Sequence, residues 1–254
     1  MSQYTFPEST LLQAIMATNS PTRKRGAVQP ESTEAPARKG RRSAAQDLTL
    51  LLRERIANGD LPPGSKLNEY DLAAEFSIPR TRVRDAFIEL EQRGLIERTP
   101  NRGAMVAKLG PDQVFRIYDI REVLEGLCVR LATQNTQPEA WKPFYDAFRG
   151  PVTDAVKAGN FELYTERVSE FRARCIEAAG NPELTRMLDS IHEKTQVLIR
   201  RIVILPGRAE TGVRQQCDIL RAMCEGNAEL AEEMRRNNIR DAKACLQQYL
   251  KYIL

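Results

Sequence analysis

Arg80, Thr81 and Arg84 stand within one helical turn of each other at the head of the segment RTRVRDAFIEL, and Arg82, Arg93, Arg98 and Arg102 lie in the same short stretch. A guanidinium is planar, permanently charged and holds its N–H donors in a fixed fork, so it matches the paired acceptors of a guanine edge or a phosphate. A threonine adds a hydroxyl for phosphate and a methyl group for thymine. These residue types bind; none of them supplies a nucleophile with its base. The chemistry points to duplex DNA.

Such side chains need a rigid helix to carry them, and the flanking residues encode one. Leu72, Ala73 and Phe76 recur at helical spacing and predict a first helix from about Glu69 to Phe76, with Asn68 as its N-cap. Ser77-Ile78 form the turn, and Pro79 is expected in the first turn of the next helix, where a missing backbone donor costs nothing. Val83, Phe87 and Leu90 form the buried stripe of that second helix, opposite Arg80, Thr81 and Arg84, and Gly94 ends it. Leu95-Ile96 and Met105-Val106 then read as two short strands around the turn Thr99 to Gly103. Upstream, an amphipathic helix from about Ala44 to Ala57 carries Leu48, Leu51, Leu52 and Ile56 on one side and stops at Gly59. Three helices and a β-hairpin make a winged helix-turn-helix.

The chain has 254 residues, 42% hydrophobic and 28% charged, enough for two domains with cores of their own. Its net charge of +4 is modest, so the local arginine cluster carries more information than the total. No apolar run approaches the roughly 20 residues of a membrane span, and the N-terminus has no secretory pattern. The expected location is the cytoplasm. Cys128, Cys175, Cys217, Cys224 and Cys245 show no CxxC spacing and read as reduced thiols, with a regulatory disulfide as the alternative.

Residues 1–42, rich in Pro, Ser, Thr and charge, are expected to form a disordered basic arm. Its Arg23, Lys24, Arg25, Arg38, Lys39, Arg41 and Arg42 either brush DNA phosphates or belong to an inert tail. The DNA-binding domain spans 43–108, Leu109-Gly110-Pro111 form a hinge, and 112–254 read as helices. Helix breaks are expected at Pro138, Gly150-Pro151, Gly159-Asn160, Gly180-Asn181-Pro182, Pro206-Gly207 and Gly226-Asn227. Short connections between six or so helices imply an antiparallel bundle. The fold class is therefore mainly α. One helix, Val114 to Ala132, carries Ile117, Ile120, Val123, Leu124, Leu127 and Leu131, with Arg121 near its middle.

At this point a resemblance becomes specific. Asn58 to Leu67 (NGDLPPGSKL), Asp71-Leu72-Ala73, Arg80-Thr81, Val83-Arg84, Leu90, Gly94-Leu95-Ile96 and Arg102-Gly103 resemble, in order over about 65 residues, the DNA-binding domain of the GntR family of bacterial transcription regulators. The resemblance implies operator contacts from Arg80, Thr81 and Arg84 and a wing tip at Gly103 that enters the minor groove. Pro79, Arg82 and Asp85 stand where the family usually has serine, proline and glutamate, so operator preference does not carry over, and Arg82 adds a possible contact. More loosely, Val114 to Ala132, the segment from Phe171 and the segment from Ile219 resemble the helical effector domain of the FadR branch.

Many relatives with that domain hold a divalent metal through one aspartate and three histidines. The matching positions here are Val168, Arg172, Gln216 and Asn238 or its neighbour Asn237, and His192 is the sole histidine of the chain. No metal and no other cofactor is expected. His192 reads as a surface or partly satisfied core residue, or else as a ligand contact. A guanidinium can hold a carboxylate directly, so Arg172 first and Arg121 second are candidate effector contacts, with Gln216 and Asn238 as neutral donors; the alternative turns Arg172 out to solvent. Asp119 with Glu122 and Glu166 with Glu170 read as ordinary charged faces, and no triad or glycine-rich phosphate loop is present. The sequence therefore predicts a regulator rather than an enzyme. Its expected partners are a palindromic DNA operator, a second copy of the chain and a small acidic effector; the alternative is a ligand-independent regulator whose helical domain only dimerises.

Overall fold

The structure, a computed structural model, describes residues 44–99 and 103–253. The expected basic arm and Arg102 lie outside the described residues. The chain divides into two compact units, with the division between Lys108 and Leu109.

In the first unit, α1 (Ala44–Asn58), α2 (Glu69–Glu75) and α3 (Arg80–Gln92) surround one core. Leu48, Leu52 and Ile56 of α1 meet Leu72, Val83, Phe87 and Leu90, all buried, while Leu51 is half-buried. Asn68 caps α2 by accepting from the Tyr70 amide at 2.9 Å. Pro79 is not inside α3 but is its extended N-cap residue, with φ −61° and ψ 143°. Ser77 in the turn takes a φ of +52°, a conformation that favours glycine. Gly94 closes α3 with a φ of +68°.

The wing is a three-stranded antiparallel sheet rather than a hairpin alone. β1 (Lys66–Leu67) lies beside β3 (Gly103–Val106), and β3 lies beside β2 (Ile96–Thr99). In β3, Ala104 and Val106 turn inward and Gly103 and Met105 outward, so alternation fixes which face packs on the helices. The Gly64 amide donates to Val106 O at 2.8 Å and the Val106 amide to Ser65 O at 2.9 Å, pinning β1 at its entry.

The second unit begins with α4 (Pro111–Gln134). Next come a 3-10 turn (Pro138–Trp141), α5 (Lys142–Ala147), a π turn (Phe148–Val152) and α6 (Thr153–Lys157). The unit continues with α7 (Glu162–Ala179), α8 (Pro182–Val203), α9 (Arg208–Cys224) and α10 (Ala228–Ile253). The expected break at Gly150-Pro151 does not occur. The chain stays helical there by widening to a π turn, which tolerates the missing proline donor, and Thr153 Oγ1 donates to Phe148 O at 2.6 Å. Gly180-Asn181-Pro182 does divide two helices: Gly180 takes a φ of +61°, and Asn181 accepts from the Leu184 amide at 3.1 Å.

The buried face of α4 is Val114, Tyr118, Arg121, Glu125, Cys128, Val129 and Ala132. Ile120 and Val123 remain exposed, and Leu124, Leu127 and Leu131 are half-buried. α10 packs along α4, and at Gly126 the approach is close: an added Cβ would sit 2.7 Å from Arg236 Cγ. That approach brings Arg235 of α10 against Glu125. Below it, Trp141, Phe144 and Phe171 pack as tilted and edge-on rings at 5.9 to 6.4 Å.

Candidate functional site

In the first unit the recognition-helix arginines are held by the helix before them. Glu69, in the first turn of α2, accepts from Arg84 Nε at 2.9 Å and from Arg80 Nη2 at 3.1 Å on the same carboxylate oxygen. Tyr70, itself exposed, lies under the Arg80 guanidinium at 3.7 Å from its ring centroid. Burial alone would raise the Glu69 pKa, but the hydrogen bonds from Arg84 and Arg80 outweigh it and hold the carboxyl below its ordinary value. Thr81 is exposed beside them, and Arg82 faces Asp85 at 3.7 Å with both side chains about half exposed. Gly103 opens β3 opposite Thr99 with a φ of +81°, which an L residue rarely adopts.

Thr81, Arg82 and Arg84 face solvent and Arg80 is partly exposed on the same helix, so a polyanion can reach them. Sequence reasoning missed Glu69 and Tyr70. An acidic residue in a first helical turn reads as a partner of the helix dipole, and nothing in its spacing shows that it meets the following helix.

In the second unit the charges lie inside. Glu125 stands between Arg121 of α4 and Arg235 of α10: its Oε1 accepts from Arg121 Nε at 2.8 Å, and its Oε2 accepts from Arg235 Nη2. Arg235 Nη1 donates to Asn238 Oδ1 at 3.2 Å, and Asn238 Nδ2 donates to Gln215 Oε1 at 2.7 Å. Arg121 also lies over the Tyr118 ring, 4.7 Å from its centroid. Burial would push the Glu125 carboxyl up, yet the charges of Arg121 and Arg235 hold it down at about 2. Burial first, then Arg172 and Arg121, lowers His192 to about 4, so its imidazole is neutral near pH 7.

A cavity of about 20 Å³, room for roughly one water, opens beside this cluster. Glu125, Arg172 and Arg235 give it a charged side, and Phe171 and Leu188 an apolar one. Of the four expected effector contacts, Arg172 alone lines it; its guanidinium donates to Asp189 at the surface, at 3.1 Å. Arg121 is buried, with its Nε bonded to Glu125. Asn238 is occupied by Arg235 and Gln215, and Gln216 is buried apart from the cavity with its side-chain oxygen unbonded. Glu125 and Arg235 were not read from the sequence. The i, i+4 spacing of Arg121 and Glu125 was visible, but it looks like a surface pair.

The metal-binding donor set of the related domains does not fit here. Val168, Arg172, Gln216 and Asn238 offer no anionic or imidazole ligand, and of the four only Arg172 lines the cavity, to which it brings a cation.

Two arginines presented on a helix pair beside a winged sheet, followed by a helical bundle with a charged cluster inside its apolar core, define a winged helix-turn-helix regulator with a C-terminal helical domain. Residues 44–106 match the model of the bacterial regulatory proteins of the gntR family, and residues 116–241 match the FCD domain. The chain belongs to the GntR family of bacterial transcriptional regulators and is not an enzyme.

It is 28% identical over 181 residues, 70% of its length and 77% of the relative's, to the "Probable D-xylose utilization operon transcriptional repressor" of Paenarthrobacter nicotinovorans. It is 30% identical over 133 residues, 52% of its length and 62% of the relative's, to the Nta operon transcriptional regulator of Aminobacter aminovorans. The solved structure of McbR/YncC from E. coli shares the fold, with a TM-score of 0.67 at 21% identity over 82% of this chain and all of that one. Among the described residues no helix is long and apolar enough to cross a membrane.

Proposed function

We propose that the protein represses transcription as a homodimer on a palindromic operator. The observation that carries this reading is the pair Arg80, half-buried, and Arg84, exposed, both oriented by Glu69 and carried on the first turns of one short helix. A single winged helix reads few base pairs, and a two-fold axis doubles the reading. The exposed Ile120 and Val123 of α4 offer apolar surface for a second copy. Arg80 and Arg84 take base edges or phosphates, Thr81 and Arg82 the adjoining backbone, and Arg102 with Gly103 the minor groove. Footprinting of the DNA beside the protein's own gene tests this: two protected half-sites about one helical turn apart are expected, and a single protected half-site would oppose the dimer.

The helical unit acts as the control element. A small carboxylate-bearing effector enters beside Arg172 and Arg235, prefers one arrangement of the two DNA-binding units, and shifts that population through residues 109–111. The cytoplasm is where such a regulator would meet both DNA and metabolite. The alternative, a ligand-independent regulator, is favoured by the small size of the cavity. Operator affinity measured across a panel of small carboxylates separates the two: a change supports the effector, and none supports the alternative.

A further inference from the structure

We infer that Tyr70 is a positioning residue for DNA reading: its ring fixes the plane in which Arg80 offers its guanidinium, and so decides how sharply Arg80 discriminates between bases. The inference rests on the reading of Arg80 as a DNA contact, and on neither repression nor the homodimer.

The fold does not account for the Tyr70 side chain. It is 63% exposed, whereas Leu72 and Ala73 of the same helix pack into the core of the unit. The hydrogen bond to the Asn68 cap comes from the Tyr70 backbone amide, which any residue except proline would supply. What the side chain meets is Arg80, with the guanidinium carbon 3.7 Å from the ring centroid. That is stacking distance; the other arginine–ring pairs among the described residues lie at 4.7 to 6.0 Å. A guanidinium stacked on a ring keeps one plane, and a base edge is matched by donors that lie in its own plane.

Glu69 and Tyr70 hold Arg80 in different ways. Glu69 accepts from Nη2, and Nε is buried without a partner, so the Nη1 end is what an outside acceptor meets. A carboxylate repels an arriving phosphate and an aromatic ring does not, so the ring keeps its hold after Glu69 has given way. Arg84 is held by Glu69 with no ring beneath it among the described residues. Two arginines of one helix thus differ in a single support, and Arg84 serves as the internal control.

The test is selection of binding sites from a random duplex library by the full chain and its Y70A, Y70L, Y70F, R80A and R84A variants. Affinity for the selected site and for a shuffled duplex follows by fluorescence anisotropy. Y70A relaxes the base positions that R80A relaxes and leaves sharp those that depend on Arg84. It loses about threefold to tenfold on the selected site and nothing on the shuffled one. Y70L, of similar bulk but without a π face, behaves as Y70A does, and Y70F keeps wild-type selectivity. The double variant Y70A/R80A binds no more weakly than R80A alone, since a positioning residue acts only through its partner.

Wild-type selectivity in Y70A overturns the inference, as does a loss that adds to that of R80A. A Y70F as impaired as Y70A would make the hydroxyl a direct contact and overturn it too, and so would an R80A that relaxes no base position. If Y70A does not fold, Y70L against Y70F decides by the same criteria. A wild type that selects no sequence would remove the operator reading together with the inference, whereas a selective wild type matched by Y70A would remove the inference alone.

Discussion

Both units hold a glutamate between two arginines, and the two clusters differ in depth. Glu69 and its partners Arg80 and Arg84 are 22%, 39% and 52% exposed, whereas Glu125, Arg121 and Arg235 are 10%, 9% and 8% exposed. In the outer cluster water and salt screen each bond, so the glutamate orients the arginines at little energetic cost and a DNA phosphate can displace it. In the inner cluster the charges have lost their water, and removing one partner strands another. One arrangement of residue types thus serves as a releasable presentation of donors in the first unit and as a locked counter-charge in the second.

The comparison can be broken most forcefully at its buried end. Arg235→Met leaves Glu125 with Arg121 alone and is expected to cost about 3 to 5 kcal/mol of folding stability, measured by denaturant unfolding. A cost near zero would mean that the inner cluster is as loosely held as the outer one.

His192 gives the next effect. Its folded pKa of about 4 lies below its ordinary 6.5, so the unfolded chain takes up a proton that the folded chain refuses. Stability is complete above pH 6.5 and falls as the pH drops toward 4, by at most about 3 kcal/mol. His192→Gln should flatten that limb while leaving the separate loss below about pH 4.5, where Glu125 begins to protonate in the unfolded chain.

Arg80→Ala in the outer cluster should cost about 1 to 3 kcal/mol of operator binding if Arg80 makes a bidentate base contact. Folding stability should barely change, which is the opposite of Arg235→Met. The smallest effect is that of Glu69→Gln, within about 0.5 kcal/mol in stability. Removing its charge should strengthen binding to random DNA and weaken the ratio of operator to random binding, because Arg80 and Arg84 lose their common anchor.

Much of the first unit was legible because its signals are local. The stripe Val83, Phe87 and Leu90 and the opposed Arg80 and Arg84 repeat within a single helix, and Asn68 caps its own neighbour. The strand Lys66–Leu67 was not legible, since two residues carry no alternation and its partner is far along the chain. Gly150-Pro151 misled for a different reason: both residues end α-helices, yet a π turn absorbs them.

The helical site was harder to read. Arg121 and Asn238 were picked out as polar groups for the interior, but Glu125 and Arg235 are 110 positions apart, and only the close approach of α4 and α10 at Gly126 joins them. An arginine or glutamate on an amphipathic helix is ordinarily a surface residue, so charge alone gave no sign that this pair lies inside.

The measurement that bears most directly on the account is fluorescence anisotropy of the wild type and of Arg80→Ala with DNA from beside the protein's own gene and with a shuffled control, across a salt series. The account predicts tight wild-type binding to the native fragment that survives moderate salt and a loss of about tenfold or more in Arg80→Ala on that fragment alone. Equal, steeply salt-sensitive binding of both proteins to both fragments would contradict it.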